Sequence, residues 1–280
     1  MDNAFGGYSY LMMDAARFHR LRSCNRACIY SLLVICFLGQ GALAQREPPP
    51  IGTRNNSANA PAAGTMPPVI VFGFVGGFIR HDDPVHSEVQ LAARLRKAYP
   101  SGVDVETYES YHGENARKKI LSLLDTNHDG TLTPAEKQNA RIILYGHSWG
   151  ASEAITVARE LEKDDIPILL TIQVDSVSKL HENDEVIPAN VAQAANFYQP
   201  DGFVHGQPAI RAAYPARTKV IGNFRFDYKG IPYTCNEYPW YDRIFVKPHT
   251  QIECDLNVWK QAESLIRADL PPATSTDSEP

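Results

Sequence analysis

The chain is 280 residues long, 44% hydrophobic and 21% charged, with a formal net charge of −5. That composition suits a globular domain with a substantial core and excludes a low-complexity or disordered protein. No Lys/Arg run or basic stretch is present, which argues against nucleic acid as a partner.

Near the start of the chain Arg17, Arg20, Arg22 and Arg26 precede an apolar run from Ala27 to Leu38 and the small-x-small triplet Ala42-Leu43-Ala44. This is the pattern of a secretory signal, predicted to span 1–44 with cleavage near Ala44, and the apolar core is too short for a comfortable membrane span. The expected location is secreted or periplasmic, with no membrane span in the mature chain. Residues 45–66 are rich in Pro, Asn, Ala and Gly without apolar periodicity and read as a flexible linker. The stretch 67–270 is expected to form one domain, and 271–280 a disordered tail. Three of the five cysteines lie within the signal segment. Cys235 and Cys254 remain, and an even pair in an exported chain predicts a disulfide.

Strand and helix patterns alternate through the domain. Val69–Phe72 is a short apolar strand, followed by the glycine-rich Gly73-Phe74-Val75-Gly76-Gly77-Phe78. Ser87–Ala98 has helical periodicity, Val103–Tyr108 is β-rich, and Asn115–Leu124 is helical again. The next twelve residues, Asp125-Thr126-Asn127-His128-Asp129-Gly130-Thr131-Leu132-Thr133-Pro134-Ala135-Glu136, match an EF-hand loop. Asp125, Asn127 and Asp129 fall at the side-chain ligand positions, Gly130 at the sharp turn, Thr131 at the carbonyl position and Glu136 at the bidentate position. Such a loop predicts a structural Ca²⁺ site, of affinity ~10⁻⁴–10⁻³ M for a single extracellular module. No organic cofactor is expected.

Strand Arg141–Tyr145 runs directly into Gly146-His147-Ser148-Trp149-Gly150, and a helical stretch, Ser152–Lys163, follows. In this strand–turn–helix setting Gly-x-Ser-x-Gly becomes a sharp turn that presents a nucleophilic serine, with a helix N-terminus beside it to favour negative charge. Pro167–Val174 reads as a strand buried on both faces and ends at Asp175. Pro188–Tyr198 is read as a helix, Thr218–Phe226 as a strand ending at Asp227, and Arg243–Val246 as a last strand before His249. Leu256–Ala268 is the final helix. Alternation of this kind implies a parallel sheet covered on both faces, with the reactive groups beyond the carboxyl ends of its strands.

A serine nucleophile needs a base oriented by an acid, in the order Ser, Asp/Glu, His for this arrangement. His249 is the expected base and His205 its rival. Asp175 is the expected acid, with Asp227 and then loop acids such as Asp184 or Asp201 as the alternatives. Oxyanion donors are expected from the N–H of Trp149 and, in the glycine loop, of Phe74.

On these residues the segment from about Pro67 to Leu270 resembles the α/β-hydrolase superfamily, specifically its lipase- and esterase-like members, with an inserted EF-hand-like loop. The resemblance implies an α/β-hydrolase fold, with a mostly parallel sheet of about six strands and helices on both faces. It also implies a serine hydrolase that cleaves carboxylic esters or thioesters through an acyl-enzyme, acting on a small-molecule or lipid ester. A peptidase or amidase sharing the triad, and a calcium-dependent binding module keeping the fold, are the alternatives. The segment Leu180–Ala216, with Phe197, Tyr198, Phe203 and Tyr214, is a candidate cap.

Overall fold

The computed structural model describes residues 67–230 and 234–273. The signal segment, the linker and residues 274–280 of the tail lie outside the described residues. Six parallel strands form the main sheet, in the order β2-β1-β3-β4-β6-β8. They are β1 (Val69–Val75), β2 (Val103–Glu109), β3 (Ile142–His147), β4 (Ile168–Val174), β6 (Val191–Tyr198) and β8 (Lys219–Arg225). Two short strands, β5 (Val186–Ile187) and β7 (Arg211–Ala212), pair with each other.

The central strands β1 and β3 are buried along their whole length, as parallel strands with both faces covered must be. Val69, Val71, Ile143, Tyr145, Leu170, Ile172 and Val174 face a core shared with α1 (Ser87–Ala98) and α7 (Leu256–Ala268). Ile70, Phe72, Phe74, Ile142 and Leu144 face the opposite core, shared with α2 (Gly113–Leu124) and α4 (Trp149–Lys163). Each of the larger side chains among these contributes ~1.5–3 kcal/mol of burial. The result is a six-stranded parallel sheet with helices on both faces, as the sequence implied.

Two expected elements are corrected. Pro188–Tyr198 is not a helix, since Val191–Tyr198 forms β6 between β4 and β8. Its alanines favour a helix locally, but Ala194, Ala195 and Phe197 are fully buried in the sheet, and that tertiary packing overrides propensity. Arg243–Val246 is not a strand. It falls in α5 (Trp240–Phe245), which starts after Pro239, and at the junction with α6 (Lys247–Cys254). His249 therefore sits on a helix and not on a loop. Among the described residues no helix is long and apolar enough to cross a membrane.

Candidate active site

The turn after β3 is sharp. Ser148 has φ 56° and ψ −126°, a conformation that costs a non-glycine residue of order 1–3 kcal/mol. Four contacts pin it: its N–H donates to the Val174 carbonyl (3.0 Å), and its carbonyl accepts from Ala151 (3.1 Å), Ser152 (3.3 Å) and Val177 (3.3 Å). Gly150 is required by the packing, because a Cβ there would stand 2.1 Å from the Phe74 carbonyl oxygen. The serine is half-buried and opens α4, whose first N–H groups include that of Trp149.

Asp175 and His249 meet beside this turn. His249 Nδ1 lies 2.7 Å from Asp175 Oδ2. The carboxylate is fully buried and also accepts from the Gly206 N–H (2.8 Å), the Gln199 side chain (2.9 Å) and the Gln199 N–H (3.2 Å). Four donors thus fix its two oxygens. The His249 ring lies 4.4 Å, centre to centre, from that of His147, the residue before the serine. His205 is exposed on the loop whose Gly206 holds Asp175, and its Nδ1 lies 3.3 Å from the Gly206 carbonyl oxygen. Asp227 lies at the surface, where it pairs with Arg225 and accepts from the Lys229 N–H.

Phe74 lies inside β1, paired with β2 on one side and β3 on the other, and its side chain is buried in the core. Its carbonyl lies against Gly150 at the start of α4, so its backbone runs beside the serine turn. Gly76 approaches the serine as well, and a Cβ there would come within 3.1 Å of the Ser148 Cβ. Apolar groups border the site. Phe78 is 84% exposed and packs edge-on against Trp149 at 5.5 Å. Phe203 is 98% exposed, next to Gly202, which lies against Pro248. Phe197 does not belong to a cap, because it is buried in the core and stacks on Phe224.

A group of buried polar residues behind the elbow was not singled out by sequence. His86 Nδ1 lies 2.5 Å from Glu253 Oε1, and His147 Nδ1 lies 3.4 Å from Glu253 Oε2 and 3.9 Å from Glu88 Oε1. Burial pushes the Glu88 carboxyl up to about 8, and the nearby Glu253 charge adds to the effect. Burial also pushes His147 down to about 4. For His86 burial works in the same direction, but the hydrogen bond and charge of Glu253 outweigh it and raise the imidazole to about 9. The only sequence signal was spacing: Glu253 stands one helical turn beyond His249.

The loop Asp125–Glu136 makes a tight turn with Gly130 at φ 83°. Asp125 accepts from the N–H groups of Asp129 and Gly130, Asn127 from Asp129, and Asp129 from Thr131. Glu136 turns instead to Thr126 and Thr133, closing the cap of the short helix α3 (Pro134–Gln138). Cys235 and Cys254 form a disulfide with Cα atoms 6.0 Å apart, closing a ring that contains His249.

No protein-family model and no characterised protein sequence matches the chain. Solved structures similar to it include an acetylxylan esterase (14% identity, 74% of this chain and 100% of that one, TM-score 0.37). A cutinase-like protein from Cryptococcus sp. is 11% identical over 76% of this chain and 100% of that one, with a TM-score of 0.38. The RedJ thioesterase of prodiginine biosynthesis in Streptomyces coelicolor is 12% identical over 69% and 96%, with a TM-score of 0.32.

Proposed function

We propose that the protein is a serine hydrolase cleaving carboxylic esters or thioesters through an acyl-enzyme. The observation that carries the reading is the strained Ser148 turn beside the buried Asp175–His249 pair. Ser148 Oγ attacks the acyl carbon while His249 takes its proton through Nε2, the ring nitrogen not held by Asp175. The tetrahedral oxyanion is received by the Trp149 N–H and by a backbone N–H of the glycine loop, that of Phe74 first. Collapse expels the alcohol or thiol, which leaves with the proton from His249. Water, deprotonated by the same imidazole, then attacks the acyl-enzyme and releases the acid and free Ser148. Asp175 stabilises the imidazolium and fixes the tautomer throughout.

Exposed Phe78 and Phe203 beside the site favour substrates with an apolar acyl or alcohol part. The test is turnover of p-nitrophenyl esters and acyl thioesters of increasing chain length. Activity absent in Ser148→Ala and rising beyond acetyl supports the reading; equal activity in Ser148→Ala overturns it.

Export and calcium belong to the same proposal. Export rests on the sequence of residues 1–44, and calcium on the donor set Asp125, Asn127, Asp129, Thr131 and Glu136. Binding would draw Glu136 away from Thr126 and Thr133 towards the ion.

A further inference from the structure

The polar group behind the elbow is out of place in a hydrophobic interior. Glu88 is fully buried, and its carboxylate has no side-chain hydrogen-bond donor among the described residues; only the backbone N–H groups of Glu88 itself and Gly76 face it. Both ring nitrogens of His147 are likewise buried without a partner. Native proteins rarely leave such groups orphaned, because each costs free energy unless something satisfies it. The donor atoms of His86, Glu88 and Glu253 all lie within 4.8 Å of one another. His147 Nδ1 adds a fourth donor, 3.4 Å from Glu253 and 3.9 Å from Glu88.

We propose that His86, Glu88, His147 and Glu253 form a buried site for one divalent transition-metal ion, zinc by the chemistry of its donors. Two imidazoles and two carboxylates are a donor set that zinc binds in tetrahedral geometry. Bonds of about 2.0–2.2 Å would space the donors roughly 3.3–3.6 Å apart. Two of the observed separations already lie near that range, and the His86–Glu253 contact opens by about 1 Å. Ligation displaces the protons held on these groups, and the two carboxylates and two neutral imidazoles would then carry a charge of −2 that a dication cancels. A hollow of about 590 Å³ is lined by Ser87, Tyr238 and Cys254, the first and last being the chain neighbours of His86 and Glu253.

The placement gives the ion a positioning role. His86 and Glu88 begin α1, His147 belongs to the elbow, and Glu253 lies on α6 one turn from His249. An ion there ties the helix carrying the imidazole to the turn carrying the serine. This holds whether or not the protein is a hydrolase, because the binding test does not use turnover.

The test is titration of chelator-treated full-length protein with Zn²⁺ and Co²⁺, followed by bound-metal analysis, visible absorption and melting temperature. Expected are one zinc per chain, the intense visible bands of four-coordinate Co²⁺, and a rise in melting temperature with zinc. Glu88→Gln and His86→Gln should each weaken zinc by more than about 100-fold, beyond the loss typical of removing a ligand's hydrogen-bond partner. An Asp125→Asn/Asp129→Asn double variant should bind zinc as the parent does. Absence of stoichiometric zinc in the parent protein, or zinc retained in folded Glu88→Gln and His86→Gln, overturns the proposal. A melting temperature raised by Glu88→Gln in a parent that takes no metal would instead identify Glu88 as a buried protonated acid.

Discussion

His249 Nδ1 and Asp175 Oδ2 lie 2.7 Å apart although 74 residues separate them in the chain. The contact leaves Nε2 as the ring nitrogen available to a reacting group. It also sets a tautomer, because the Nδ1–H donates to the Asp175 carboxylate. Asp175→Asn should preserve the fold and lower kcat on activated esters by about 10³–10⁴-fold. A drop of less than tenfold in a folded variant would remove Asp175 from the triad.

The Cys235–Cys254 bond encloses α5 and most of α6, including His249. A ring of this size contributes about 3 kcal/mol by limiting the unfolded chain. The double variant Cys235→Ser/Cys254→Ser should melt roughly 6–12 °C lower, as calorimetry would register. Activity should fall as well, since the helix bearing the base loses its tether. An unchanged melting temperature would contradict the assignment.

Glu109 supplies an acid-side prediction. Burial opposes its charged form, but hydrogen bonds from His81 and His112, each 2.7 Å long, outweigh that and hold the carboxyl at about 2. A depressed acid stabilises the fold above its ordinary value of 4.5, and that contribution disappears as pH falls towards 2. The melting-temperature gap between the parent and Glu109→Gln should therefore be full above pH ~5 and close by pH ~2. A gap independent of pH would show that the carboxylate charge contributes nothing.

For the loop at Asp125–Glu136, calcium at about ten times its dissociation constant should stabilise the protein by ~1.4 kcal/mol. The melting temperature, followed during calcium addition, should rise in the parent and stay flat in Asp129→Asn. A flat response in the parent would leave the segment as a hydrogen-bonded turn with a capped helix.

Much of this architecture is legible in the residues themselves. Ser87–Ala98 and Leu256–Ala268 carry helical periodicity along their whole length and form helices with those bounds. The apolar β1, β3 and β4 announce a buried parallel sheet because both faces of such strands need hydrophobic cover. Val191–Tyr198 is obscure because Ala-Gln-Ala-Ala favours a helix in isolation, and only neighbours on both sides make it a strand. Ile244 and Val246 suggest β structure, but Pro239 and Pro248 flank them at helix starts. The first strand runs past Phe72 to Val75, so the glycine that approaches Ser148 is Gly76. The pairing of His86 with Glu253 spans 167 residues, and no local pattern could disclose it.

Covalent labelling tests the central claim most directly. A fluorophosphonate should add one phosphonyl group per chain, and peptide mass spectrometry should place it on Ser148. Labelling should vanish in Ser148→Ala and slow sharply in a folded His249→Gln. A parent protein that is folded yet unreactive, or that carries the label on any other residue, would contradict the account.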